Sequence, residues 1–350
     1  MRQFERFLRF TAALAAVCLT VGCPGCSFPA PALPPTPPTE TAEPTPEASV
    51  TLPAPPRYAV NPDAPEVFSA EAERRAAERI DSAIHTAIRL MNTLDIEPID
   101  VLTCDYAKRP KQRDQLSPES AVLYDRMLEA AESFSDYHFS ERDYTGTDFF
   151  NTFVTALDAL RVDRTDLFLY CDAHIQGSEY RSSYFMPGDS FNKPCDDREA
   201  IRAEKAYCDA VVARIIEMMP QGLSAGEMCW YFLLVLSAGV EYDYREDYPL
   251  YDYQAYGALC GGVAVCSGYA QAFYRLCREV GISCWFCRGT TVAGRHAWNR
   301  LDTASGPVYL DITWYDTDDL STHYREGKEQ YLFMNEEKFA YEGYIEENRQ

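Results

Sequence analysis

Apolar positions between residues 66 and 240 recur mainly at helical spacing. Ile80, Ile84, Ala87, Ile88 and Met91 fall three and four residues apart, which predicts a helix capped by Ser69 and ending near Met91. Further helices are expected over Pro118–Phe134, Arg198–Met219 and Ser224–Ala238. Between them, Leu167–Cys171 and Glu179–Phe185 are rich in Tyr, Phe and Leu and read as strands. In the last third of the chain, Tyr269, Phe273, Leu276 and Val280 follow Cys266 on one helical face, and Gly281 ends that helix. A run around His296 and the apolar run Val308–Ile312 then read as two strands joined by the turn-forming residues DTASG. No internal repeat and no glycine-rich phosphate loop interrupts this order.

The chain of 350 residues is 47% hydrophobic and 25% charged, enough apolar material for a true core. At about 150 residues per domain the length suggests two domains. Two regions fall outside that core. Arg2, Arg6 and Arg9 precede an apolar run from Phe10 to Val21, the layout of an export signal over residues 1–22. That run is shorter than the ~20 residues a permanent membrane span requires. Gly22-Cys23 then marks Cys23 as a lipidation site, although Leu19 sits one place upstream of its usual position. Residues 23–65 are dominated by Pro, Thr, Ala and Glu, which predicts an extended, semi-rigid tether. Residues 66–222 follow as a mainly helical α+β support domain and 223–350 as a second domain. The expected location is the outer face of a bacterial cytoplasmic membrane, with free secretion as the alternative. Net charge is −22, from 32 basic against 54 acidic residues. Such a field disfavours nucleic acid and anionic lipid as partners, so any membrane contact is expected only through the N-terminal lipid. Of the 13 cysteines, Cys18 leaves with the signal and Cys23 takes the lipid; in an oxidising exterior most of the other eleven should pair, with at least one left unpaired in a monomer.

Residues 66–222 propose no chemistry; His85, His138 and His174 stand alone. Cys266 is different, because a thiol at a helix N-terminus meets unpaired N–H groups and the positive end of the dipole, which stabilise a thiolate. Gly268 would leave room for a substrate beside the first turn. With Asp302–Ser305 as a four-residue hairpin loop, His296 and Asp311 would stand directly opposite on one face. The implied relay has Asp311 orienting His296, which activates Cys266. Cys284-Trp-Phe-Cys287 has the form of a redox pair, but its strand context favours a core or disulfide role. Asp316, Asp318 and Asp319 match no dedicated calcium loop and read as an acidic turn. No metal site and no cofactor are expected.

The runs VCSGYAQAF, HAWNRL and YLDITWYD occur in that order and resemble the transglutaminase-like superfamily of papain-type thiol enzymes, over roughly residues 223–340. The resemblance implies an α+β fold whose nucleophile-bearing helix packs on an antiparallel sheet, with Cys266, His296 and Asp311 as its triad. It also implies an oxyanion hole built from the Cys266 N–H and an upstream side-chain donor, for which Gln254 is the nearby amide. Trp298 is expected on the site wall beside His296. The implied activity is acyl transfer from a carboxamide or peptide bond of a protein or peptide, ending in hydrolysis or in cross-linking to an amine. A non-catalytic surface-binding protein that keeps the fold is the alternative, and a redox protein built on Cys284 and Cys287 comes third.

Overall fold

Helix α1 (Ala70–Met91) turns Ile80, Ile84 and Ala87 inward, and all three are buried as their spacing predicts. The structure is a computed structural model describing residues 70–94, 96–109, 111–143, 148–167, 170–184, 197–244, 250–316 and 329–346. The expected signal, Cys23, the tether and the Ser69 cap lie outside the described residues. Helix α2 (Pro118–Glu132) starts where the Ser117 hydroxyl accepts the Ser120 N–H. A strand β1 (Tyr137–Ser140) and a helix α3 (Phe149–Asp163), neither of them expected, come next. Asp148 caps α3, which buries Phe149, Phe153, Leu157 and Leu160. The strand expected over Leu167–Cys171 begins later, because Thr165–Leu167 form a 3-10 turn. It is β2 (Tyr170–Gln176), and with β3 (Glu179–Tyr184) it completes an antiparallel sheet in the order β1-β3-β2.

Helices α4 (Arg198–Glu217) and α5 (Ala225–Gly239) follow, each with a side-chain cap at its N-terminus. In α5 the cap is reciprocal: Ser224 accepts the Glu227 N–H while Glu227 accepts the Ser224 N–H. Residues Tyr231 to Leu236 of α5 are all buried, so this helix runs through the interior. Two short parallel strands, β4 (Glu241–Tyr242) and β5 (Val263–Ala264), lead into α6 (Cys266–Glu279). Helix α6 ends as expected at Gly281: the Ile282 N–H reaches back to Cys277 O and the Gly281 N–H to Arg278 O, with Gly281 at φ +73°.

The remaining strands are β6 (Cys284–Thr291), β7 (Gly294–Thr303), β8 (Gly306–Leu310) and β9 (Ile345–Glu346). They form one antiparallel sheet in the order β8-β7-β6-β9, with a short helix α7 (Ile312–Tyr315) after β8 and α8 (Glu336–Tyr341) before β9. The fold class is therefore α+β, with α6 against one face of an antiparallel sheet. Asn299 fixes that packing, its buried side-chain amide donating to Ala270 O of α6 at 2.9 Å. The other face of the sheet carries a smaller core of Cys287, Trp298, Tyr309, Met334, Phe339 and Tyr344.

The large core joins early and late parts of the chain, since Ile84, Phe153 and Val211 share it with Phe232, Phe273 and Leu301. Val101 and Thr103 bridge to Thr303 and Ile282. Arg79 of α1 donates to the carbonyls of Gly239, Leu259 and Cys260, holding the wide π-helical turn Gly257–Gly261 that precedes β5 and α6. Among the described residues, eight cysteines are free thiols, so the pairing expected of most of them is not met there. Cys284 and Cys287 cannot pair along a regular strand. Three residues apart on β6, they face opposite sides of the sheet and lie in different cores. The redox reading of that motif is thereby overturned.

Candidate active site

Cys266 is the first residue of α6, preceded by an extended Val265 whose side chain caps nothing. Its backbone N–H finds no hydrogen-bond partner among the described residues, as expected for a helix start. The thiol is partly buried, whereas Gly268 to Cys277 are buried throughout. The space beside Gly268 is not open to substrate. A Cβ there would meet Asp252 O at 2.4 Å and Gln254 O at 3.1 Å, so the glycine serves close packing of the preceding loop. Gln271 adds to that packing by donating to Tyr253 O at 3.0 Å.

His296 and Asp311 come together, but not by the expected register. The hairpin turn is only Ala304 and Ser305, because Thr303 already pairs with Gly306 and Asn299 with Leu310. Extended by one residue, this register would set Asp311 opposite Trp298. The error of two residues preserves the face, since side chains alternate with period two, and diagonal neighbours remain within reach of long side chains. Asp311 has in fact left the strand. It is the N-cap of α7, with its Oδ1 accepting the Trp314 N–H at 3.1 Å. Its Oδ2 lies 2.7 Å from His296 Nε2. Asp311 is fully buried.

Strand β8 stops at Leu310, so among the described residues β7 has no strand neighbour on that flank from Gly294 to Trp298. His296 lies on this stretch of β7, and its ring interacts with the Cys266 thiol at the start of α6. Nε2 is committed to Asp311, which leaves Nδ1 for the thiol. Burial opposes the charged form of His296, but charge and hydrogen-bond interactions with Asp311 and Cys266 outweigh it and push the pKa up to about 10. That shift favours the imidazolium at neutral pH.

Three aromatic rings surround it. Trp298 lies 6.3 Å away, centroid to centroid, with its plane inclined by 29°, Trp314 stands edge-on at 6.0 Å, and Tyr344 is at 6.4 Å. Trp298 is thus beside His296 and also part of the smaller core. Gln254 is buried, its backbone lies against the first turn of α6, and its side-chain amide makes no hydrogen bond among the described residues. Asp316 accepts the Tyr269 hydroxyl at 2.6 Å, while Asp318 and Asp319 lie outside the described residues. His85 and His138 are far from this site in sequence, and neither pairs with another histidine in the described structure. Sequence reasoning passed over Tyr344, whose hydroxyl donates to Asp311 Oδ2 at 2.5 Å. A single tyrosine so far along the chain from Asp311 offered no spacing to read.

A free cysteine at a helix start, beside a charged imidazole that a buried carboxylate holds, is suited to nucleophilic attack on a carbonyl. Residues 229–318 match the model of the transglutaminase-like superfamily. This stretch is similar to a transglutaminase-like core. The transglutaminase-like match includes most of α5, all of α6, the strand that carries His296, and Asp311 at the start of α7. A solved structure described as "Crystal structure of a TGase" is 15% identical, covers 42% of this chain and 44% of its own, and superposes with a TM-score of 0.30. The chain therefore spans less than half the length of that neighbour. No curated protein matches. Among the described residues no helix is long and apolar enough to cross a membrane.

Proposed function

We propose that the chain is a thiol-dependent acyl-transfer enzyme acting on carboxamide or peptide bonds, with Cys266 as nucleophile, His296 as acid–base group and Asp311 as its orienter. The observation that carries this reading is the His296 ring, held between the buried Asp311 carboxylate and a cysteine at a helix N-terminus. In the first step the Cys266 thiolate attacks the carbonyl carbon and the carbonyl π electrons move to oxygen. The Cys266 N–H and the Gln254 amide would receive that oxyanion. As the C–N bond breaks, the imidazolium gives its proton to the departing amine or ammonia, leaving a thioester. Water or a second amine then attacks, losing its proton to His296. Water yields a peptidase or amidase, and an amine yields a cross-linker. The choice depends on how well the site shields the thioester from water.

The basic and apolar first 22 residues, followed by the Pro-rich stretch, support export, with Cys23 as the lipid-bearing residue. A protein or peptide of the cell envelope is then the substrate class within reach.

The test is the alkylation rate of Cys266 against pH, followed by peptide mass spectrometry in the parent and in His296→Ala. Fast labelling at pH 6–7, below the free-thiol value of about 8.5, is expected in the parent and should fall at least about tenfold in the variant. Slow labelling in both would overturn the reading and turn attention to a non-catalytic binding role.

A further inference from the structure

The Asp311 carboxylate has more partners than a Cys–His–Asp relay requires. Its Oδ2 accepts both His296 Nε2 at 2.7 Å and the Tyr344 hydroxyl at 2.5 Å, while its Oδ1 accepts the Trp314 N–H at 3.1 Å. Because Asp311 is fully buried, no solvent can replace a lost donor. Three donors from three elements leave a single carboxylate orientation that satisfies them all.

Tyr344 is itself held in place. Its ring stacks on Phe339 at 4.8 Å and stands edge-on to Trp298 at 5.1 Å. Gly343, at φ +82°, turns the chain after α8 so that Tyr344 enters the core just before β9. Strand β9 pairs with β6 at Gly289, and Gly289 is in turn the cross-strand partner of His296. The C-terminal segment thus grips the same part of the sheet that carries the imidazole.

We propose that Tyr344 is a positioning residue of the candidate active site, fixing Asp311 so that its carboxylate holds the His296 ring toward Cys266. This inference rests on the catalytic reading of Cys266 and His296. A donor aimed at a buried carboxylate favours its ionised form and restricts its rotation, and both effects sustain the imidazolium. Burial, followed by the charge of Asp311, keeps the Tyr344 phenol protonated and so available as a donor. The other titratable groups facing this centre are Cys266 from α6, Tyr331 from the segment before α8, and Glu342 beside Tyr344.

The experiment compares the parent, Tyr344→Phe and Met334→Ala. The first variant removes only the hydroxyl; the second disturbs packing in the same core without touching Asp311. Two readouts are taken: the pH profile of Cys266 alkylation, and the titration of the His296 imidazole by NMR in histidine-labelled protein, assigned by its absence in His296→Gln. In Tyr344→Phe the acid side of the labelling profile should move up by about one pH unit, the size expected for one lost hydrogen bond to a charged group. His296 should titrate at lower pH than in the parent. Met334→Ala should lower the melting temperature and leave both profiles in place. An unchanged His296 titration in Tyr344→Phe, or the same change in Met334→Ala, would overturn the proposal. If the parent thiol labels slowly while the His296 titration still shifts in Tyr344→Phe, the positioning role stands and the catalytic reading falls.

Discussion

The two ends of α6 hold cysteines in opposite circumstances. Cys277, near the C-terminus, is fully buried; burial pushes its thiol pKa well above the ordinary value, and Cys229 and Cys284 beside it push the same way. Cys266, at the N-terminus, is partly buried, has a backbone N–H without a partner among the described residues, and adjoins an imidazole whose pKa is pushed up to about 10. One helix therefore carries a thiol held neutral by burial and a thiol set beside a positive charge. Residue type and secondary structure are the same at both ends, so the difference in expected reactivity comes from position alone.

The largest effect should come from removing the N-terminal thiol. In Cys266→Ala, turnover of an amide substrate should fall by about 10³-fold or more, with the melting temperature little changed. Cys277→Ala should do the reverse, keeping turnover within a few-fold while losing about 1–2 kcal/mol of stability to the small cavity. Parallel assays of turnover and thermal unfolding on both variants would decide it. Equal turnover in Cys266→Ala and the parent would erase the distinction between the two ends.

A smaller effect separates the thiol from the carbonyl it is proposed to attack. Alkylation of a thiolate by iodoacetamide creates no oxyanion, whereas acyl transfer does. If Gln254 donates to that oxyanion, Gln254→Ala should slow turnover by about 10²-fold and leave Cys266 alkylation near the parental rate. A proportional loss in both assays would instead make Gln254 a packing residue of the loop that abuts Gly268.

Much of this arrangement is legible in the sequence because it rests on local rules. The α6 stripe and Gly281 mark a helix and its end, and the Ser224 and Glu227 spacing marks another start. The partnership of His296 and Asp311 was readable only to within a two-residue slip. Turn length sets register, and DTASG does not show that Thr303 and Gly306 remain in the strands. The pairing survives because parity, not register, fixes the face. Gly268 shows a different limit: glycine signals a close approach, and the sequence does not say whether the chain or a ligand makes it. Helix α3 went unread although its Asp148 cap and apolar spacing obey the same rules as the helices that were expected. Tyr344 lay beyond reach because tertiary folding alone brings it to Asp311.

A separate effect concerns stability rather than turnover and follows from the proton on His296. In the fold this ring keeps its proton to about pH 10, while in the unfolded chain it loses it near pH 6.5. A raised pKa stabilises the folded state fully below the unfolded value, and that contribution is lost as pH climbs through the folded one. Between about pH 6.5 and 10 the native protein binds more protons than the unfolded chain, so stability should decline across this window. His296→Gln removes this term and should flatten the decline, an effect visible as a smaller drop in melting temperature from pH 7 to 10. Cys277→Ala leaves the imidazole alone and should reproduce the parental slope at lower overall stability. If His296→Gln and the parent lose stability in parallel, the imidazole is not held charged by Asp311 and Cys266. The contrast between the two ends of α6 would then reduce to burial alone.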